Sequence, residues 1–454
     1  MAWDGIYDAV FIGGGPAGLA VASELCMSHK VLVVEREEAG KTKRSWFVPP
    51  FCINDEIKPF TYGGVKRYLA DTFSGAKISW DCKLYGAYPY IDEKKILPYW
   101  KDKIMRHGSM VLNNCEFQDY FLNNGIVTVR TSKGDAKGRL LVDASGHDSK
   151  IIKKNHLENK SFYWWSIYGA IAKHKNGLAP TLKVGDYMLW QTFRDTNAHV
   201  DTSLREGRPV FEYEILTADT SFPLILYLRK EKMDKDYMDK EFMHILRQEA
   251  STAAFHDVEI DELKYGWYPS GGLTQRVAAD HVAFIGDAGC WTTPCGWGMG
   301  FILNNYRIYA KHLANSINNK RFDAASLTNI PDLKVHDKYE ILFDKLMTHF
   351  LSNAPAEMLD QFIGFFKIID PIICEKIFTL TVSQKECLDT LKVFLKHIPA
   401  KDLIKVLPRE DYITVMEEAK YFVEDAVKDK LHGFLDILKG GKPHPALEDG
   451  FSFD

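Results

Sequence analysis

The sequence predicts an α/β protein. A parallel-sheet nucleotide-binding domain carries an inserted β-sheet domain and is followed by a helical C-terminal region. Three observations predict it: an apolar strand running into a glycine turn at the N terminus, a strand-like block over residues 160–230, and a mostly helical pattern after residue 330.

The first strand is Ala9 to Ile12, a short apolar run of the kind buried on both faces. Gly13, Gly15 and Gly18 follow it in the spacing GxGxxG. Pro16 and Ala17 open a helix, which runs from Ala17 to Leu25 with small residues on the side nearest the strand. Val31 to Val34 is a second strand, ending in Glu35, 17 residues after Gly18. Each part has a physical job. Gly13 permits the tight turn, Gly15 lets backbone approach a pyrophosphate, and Gly18 allows close helix–sheet packing. The helix start offers unpaired N–H groups to phosphate, and Glu35 can accept from ribose hydroxyls. This defines a Rossmann-like dinucleotide-binding unit.

The segment after Glu35 is basic and then aromatic, with Arg36, Lys41, Lys43, Arg44, Trp46 and Phe47. It reads either as a solvated loop or as a place where Arg36 and Arg44 hold cofactor phosphate or ribityl groups. Residues 60–90 are rich in tyrosine and read as strands and turns. Leu97 to His107 reads as a helix with Pro98 in its first turn. Strands are expected over Ile126 to Arg130 and Arg139 to Val142, the latter running into Asp143-Ala144-Ser145-Gly146.

Strand-like pieces then dominate: Tyr163 to Ala172, Tyr187 to Phe193, Val210 to Leu216 and Leu224 to Leu228. Met233 to Ala250 is an amphipathic helix. The α/β style returns with strand His281 to Ile285, Gly286-Asp287-Ala288, a glycine-laden loop through Pro294, Gly298 and Met299, and a long helix to about Ile317. A short acid at a strand end, Asp287, suits the hydroxyls of a ribityl chain. The glycines let backbone N–H groups approach a flavin ring and stabilise negative charge there. The fingerprint alone admits NAD or FAD; with Ala144, Gly146, Gly286 and Asp287 it favours FAD. The expected domains are 1–160 with 265–325 for FAD binding, 161–264 for substrate, and 326–454 as the helical region.

Composition narrows the partners. A net charge of −4 gives no electrostatic pull toward nucleic acid. Aromatics at 13% fit either a large apolar pocket or an aromatic-rich core. Eight scattered cysteines include no CxxC pair, so no zinc or other metal site is indicated and a reducing, cytoplasmic location is expected. The chain enters its first strand within eight residues, so no signal or transit peptide is expected. No long uncharged apolar run suggests a spanning helix. The apolar stretch Met358 to Val382 reads as a helical lid or core, or alternatively as a surface that dips into a membrane to collect a lipid-like substrate. Cys290 and Cys295 flank the flavin loop, as two buried thiols, a redox pair or a flavin thioether.

With these motifs in hand, the chain resembles FAD enzymes of the lycopene cyclase, geranylgeranyl reductase and flavin halogenase kind, which share the aromatic-hydroxylase fold. Tyr168-Gly169-Ala170-Ile171-Ala172 is similar to a lycopene cyclase Tyr-Gly-Ile-Leu-Ala strand. Pro209-Val210-Phe211-Glu212-Tyr213 is similar to that family's Pro-Thr-Phe-Leu-Tyr, and Pro269-Ser270-Gly271-Gly272 to its Pro-Met-Gly-Gly. Over residues 6–400 the resemblance implies an FAD domain with a β-sheet substrate domain. One departure matters: the place of the cyclases' Phe-Leu-Glu-Glu-Thr reads Leu224-Ile225-Leu226-Tyr227-Leu228-Arg229-Lys230-Glu231, so Tyr227 and Leu228 replace the paired acids and only Glu231 is acidic, offset from them. A hydrocarbon is not protonated without a placed acid. The halogenases' Trp-x-Trp-x-Ile-Pro and the hydroxylases' Asp-Gly motif are also missing. Tyr265-Gly266-Trp267-Tyr268-Pro269 resembles the reductases' Tyr-x-Trp-x-Phe-Pro, one residue short, so Trp267 either packs under the flavin domain or walls the substrate cavity.

The expectation is therefore an FAD-dependent oxidoreductase acting on a hydrophobic unsaturated or aromatic small molecule by oxygenation, halogenation or double-bond reduction. NAD(P)H or a flavin reductase would supply the electrons. The alternative is non-redox cyclisation with reduced FAD, and a third class is a flavin-bound carrier without turnover. Glu231, Tyr227 and Trp267 are the catalytic candidates.

Overall fold

The computed structural model describes residues 5–71, 75, 77–157, 163–191, 209–272, 278–291, 296–330, 338–399, 402 and 405–406. The chain divides into two units. The first comprises Met1–Gly64, Ala87–Phe162 and Lys264–Ile341; the second comprises Val65–Gly86, Tyr163–Leu263 and Leu342–Asp454.

The first unit is built on a sheet whose path runs Ala278–Ala279, Val282–Phe284, Gly134–Asp143, Ile6–Ile12, Val31–Val34, Met110–Leu112. The last five strands pair parallel, with Phe11 opposite Val142 and Val33, and Val142 opposite Ala283. Antiparallel strands Ile126–Thr131 and Phe117–Asn123 extend from the lower half of Gly134–Asp143. The apolar runs are continuous because both faces of the sheet are covered. Ala9, Phe11, Val31 and Val33 pack with residues of helices Pro16–Leu25, Glu93–Arg106 and Gly298–Asn318. Val10, Ile12, Leu32 and Val34 pack with Phe117, Val127, Val129 and Ile151 on the other face.

Helix Glu93–Arg106 begins four residues before the expected start, so Pro98 lies inside it, in the second turn. There it removes one i→i−4 hydrogen bond. The helix tolerates this because Ile96, Leu97, Trp100 and Ile104 are fully buried along one side.

The second unit is built on a seven-stranded sheet in the order Val258–Ser270 (of which residues up to Leu263 belong to this unit), Tyr163–His174, Thr220–Arg229, Val210–Ile215, Asp186–Gln191, Arg67–Asp71, Lys77–Asp81. The hairpin Arg67–Asp71/Lys77–Asp81 comes from a stretch the sequence reading had assigned to the first domain. Its parallel pairing with Asp186–Gln191, and the Arg67–Asp186 bidentate pair at 2.9 and 2.7 Å, hold it in this unit. Helix Lys235–Gln248 lies on one sheet face, where Phe242 meets Tyr168 at 5.7 Å between ring centroids. The apolar stretch from Met358 breaks into helices Ala356–Phe365 and Pro371–Phe378. Phe366 and Phe378 turn inward and stack on Trp80 at 5.7 and 5.9 Å, so much of this stretch serves as core. Among the described residues no helix is long and apolar enough to cross a membrane.

Candidate functional site

The glycines and acids singled out by sequence meet at one edge of the first unit's sheet. Four adjacent parallel strands end there: Phe284, Asp143, Ile12 and Val34 close them in spatial order. Backbone hydrogen bonds tie the exits together, from Ala144 N–H to Ile12 O (2.8 Å), Ile285 N–H to Asp143 O (2.9 Å) and Gly13 N–H to Val34 O (2.9 Å). The carboxyl edge of an open parallel sheet, where neighbouring loops diverge, is where such folds bind ligands.

Each glycine has a distinct reason to be there. Gly13 has φ +108°, and a Cβ on it would lie 2.2 Å from Ala144 O. A Cβ on Gly18 would lie 2.1 Å from Gly13 O, so the helix touches the turn directly. Gly15 differs: a Cβ there meets nothing within 4 Å. Gly15 caps helix Pro16–Leu25 without a side chain, and no acidic residue occupies the first turn. Among the described residues no acceptor takes the N–H of Ala17 or Gly18. A bare helix start opening on free space is a fitting cradle for a pyrophosphate.

Glu35 closes one end of this crevice. Its carboxylate accepts from Gly14 N–H at 2.7 Å and from Glu37 N–H at 2.8 Å, which fixes its orientation toward the glycine turn. Arg36, next along, is exposed and lies beside Glu37 at 3.6 Å.

At the other end, Gly286 has φ +60° and a Cβ on it would stand 2.8 Å from the Ala17 methyl. The two glycine turns, far apart in sequence, therefore touch. Asp287 lies 3.4 Å from Arg44 Nη1 and 4.0 Å from His147 Nδ1. Burial works against its charge, but His147 and Arg44 outweigh it and hold the carboxyl below the usual carboxylate range. Arg44 is itself steered by donating to Trp267 O at 2.9 Å. Trp267 thus enters the site through its backbone carbonyl. His147 escaped the sequence reading; its only signal was its place immediately after Gly146.

Asp143 is an anchor. It is fully buried and accepts from Ser145 N–H (3.0 Å), Ser145 Oγ (2.6 Å) and Ser149 Oγ. These bonds shape the turn in which Ala144 packs on Gly13 and Gly146, at φ +83°, faces open space. Gly298 starts the long helix and Met299 is buried behind it. Cys290 is buried in a left-handed conformation with Sγ toward Gly272 O. Pro294 and Cys295 lie outside the described residues.

The remaining catalytic candidates are in the second unit. Glu231 is exposed, just past the end of strand Thr220–Arg229. Tyr227 is buried, with its ring 6.3 Å from Tyr237 of helix Lys235–Gln248, and burial raises its phenol well above the ordinary value.

No family model and no curated protein matches this chain. Solved structures do match, and they establish the fold. A geranylgeranyl bacteriochlorophyll reductase-like protein from Thermoplasma acidophilum matches at a TM-score of 0.65 and 13% identity, over 88% of this chain and 99% of that one. The halogenase PltM, solved with phloroglucinol and FAD, matches at 0.54 and 10% identity, over 96% of each chain. The p-nitrophenol 4-monooxygenase PnpA from Pseudomonas putida matches at 0.53 and 15% identity, over 88% and 96%. The chain has the fold these reductase-like, halogenase and monooxygenase proteins share, as the sequence resemblance implied.

Proposed function

We propose that this protein is an FAD-dependent oxidoreductase acting on a hydrophobic unsaturated or aromatic small molecule. The reading is carried by the convergence of the glycine fingerprint, Glu35 and Gly286-Asp287 on one crevice at the carboxyl edge of adjacent parallel strands. In it, Gly13, Gly15, Pro16, Ala17 and Gly18 seat the pyrophosphate, and Glu35 takes the adenosine ribose. Asp287 takes the ribityl hydroxyls, with Arg44 and His147 keeping it charged. Ala144, Gly146, Gly286, Gly298 and Met299 shape the walls, and Pro294 belongs to the loop that would border the ring. Of the two arginines we assign the polar role to Arg44, because Arg36 points to solvent.

FAD, once bound, supplies the two-electron and oxygen chemistry; the protein's residues bind, orient and desolvate. The solved proteins of the same fold act as a halogenase and a monooxygenase or are described as reductase-like, which supports redox chemistry over the cyclase reading. The exposure of Glu231 also weighs against its use as a cyclase acid. NAD(P)H or a separate flavin reductase would reduce the cofactor, and the second unit would hold the substrate.

The test is reconstitution. The purified protein should bind FAD, bleach with dithionite and recover its colour in air. A colourless protein that takes up no FAD after reconstitution refutes the reading. A protein that binds FAD and, once the flavin has been reduced, forms product without oxygen and without further consumption of electron donor returns the cyclase.

A further inference from the structure

The central strand of the second unit's sheet, Val210–Ile215, is buried along its whole length, yet it carries two glutamates. Glu212 and Glu214 alternate with Phe211 and Tyr213, so both carboxyls share one face. It is not the face that meets Phe255, which Phe211 and Tyr213 reach at 5.7 and 5.0 Å. Across the sheet the glutamates stand opposite Leu224, Phe222 and Tyr187. They are 9% and 7% exposed.

Tyr187 donates its hydroxyl to Glu212 at 2.8 Å. Among the described residues no hydrogen bond or ion pair reaches Glu214, and no cation pairs with either acid. A carboxyl so isolated takes up a proton instead of staying charged. Burial pushes Glu214 up to about 8. For Glu212, burial and the nearby Glu214 outweigh the bond from Tyr187 and raise it well above the ordinary value. An apolar residue in place of Glu214 would suit a central strand better, so packing alone does not account for that acid. Beside them is an apolar aromatic wall: Tyr187 sets its edge on Tyr68 at 5.5 Å, Tyr68 stacks on Trp80 at 5.4 Å, and Phe378 stacks on both.

We infer that Glu214, with Glu212 and Tyr187 beside it, recognises an acceptor oxygen, a carbonyl or hydroxyl, on an otherwise apolar substrate. This rests on the reading of the second unit as the substrate unit. A neutral carboxyl donates its O–H to such an oxygen, and so weak an acid suits a carbonyl far better than a carbon–carbon double bond. A ligand lacking the oxygen leaves that buried donor unpaired, so the site discriminates by about tenfold or more.

The experiment uses the full-length protein, with flavin content read by absorbance. Equilibrium dialysis compares fluorenone with fluorene, and indanone with indane: each ketone against a hydrocarbon of the same shape. The wild type should prefer at least one ketone by about tenfold. Glu214→Leu should erase the preference, and Glu214→Gln, which keeps an N–H donor, should retain most of it. Equal binding of ketone and hydrocarbon, binding of neither pair, or a preference that survives Glu214→Leu overturns the inference. If Glu214→Leu does not fold, infrared spectroscopy of the wild type decides: a protonated-carboxyl band at neutral pH must shift when the ketone binds, and no shift overturns the inference. A protein that carries flavin but shows no ketone preference fails this inference alone. One that prefers the ketone yet takes up no flavin fails the function proposed above.

Discussion

Gly15→Ala separates the fold from the cofactor site. Gly15 has φ −81° and ψ −173°, a conformation any residue adopts. A methyl added there meets nothing within 4 Å. The variant should therefore melt with the parent, within about 0.5 kcal/mol. Yet that methyl projects into the space where a pyrophosphate must approach the helix start. Displacing the phosphate forfeits about one charge-assisted hydrogen bond, roughly 1.5–3 kcal/mol. This corresponds to a Kd weaker by about 10- to 150-fold. Thermal unfolding of flavin-free protein measures the first quantity, and quenching of FAD fluorescence on titration measures the second. Gly13→Ala is the contrast. With φ +108° and a methyl 2.2 Å from Ala144 O, it should lose stability and affinity together. The reasoning is refuted if Gly15→Ala melts normally and binds FAD within about twofold of the parent.

Two further perturbations address the first unit's buried charges. Lys264 Nζ lies 2.7 Å from Glu93 Oε1, with side chains 2% and 9% exposed. Lys264→Leu strands Glu93 in the core and should cost about 3–5 kcal/mol in urea unfolding, with much of the loss recovered when Glu93→Leu is added. A double variant no more stable than the single would contradict this. Glu56 accepts from Lys103 (2.8 Å), Arg307 (2.5 Å) and Tyr306 (2.9 Å). Burial alone would raise it, but these donors prevail and lower it from 4.5 to about 2. A depressed carboxyl stabilises above its unfolded value and loses that contribution as pH falls toward its folded one. The stability gap between wild type and Glu56→Gln should thus be full above 4.5, at most about 3 kcal/mol, and close as pH falls toward about 2. A gap independent of pH across that window would remove the pair network as its cause.

What could be read from the chain was what lies close together along it. The strand, glycine turn, helix and second strand from Tyr7 to Glu35 form one contiguous unit whose parts constrain each other locally. Gly286-Asp287 was legible for the same reason, as a strand end followed by a turn. Arg36 and Arg44 could not be told apart, because what separates them is Trp267 and Asp287, more than 200 residues away. Val210–Ile215 concealed its acids, since a strand alternating Glu with aromatic residues reads as half-solvated. Only the strands on both sides and the covering of both faces reveal that Glu212 and Glu214 are inside. The hairpin from Arg67 to Asp81 was misplaced because its pairing partner, Asp186–Gln191, lies more than 100 residues downstream.

The pairing of Leu141 with Val282 has a consequence for biosynthesis. Along the chain the glycine fingerprint precedes the neighbouring wall of the crevice by more than 200 residues, so during synthesis it emerges well before that wall. Until Val282–Phe284 emerges and docks, Asp143 has an unmated flank and the early segments wait as an open edge. Loading of any nucleotide is thus deferred until the segment through Asp287 has been made, and a fragment ending before Asp287 should be a client for chaperones and unable to hold its ligand.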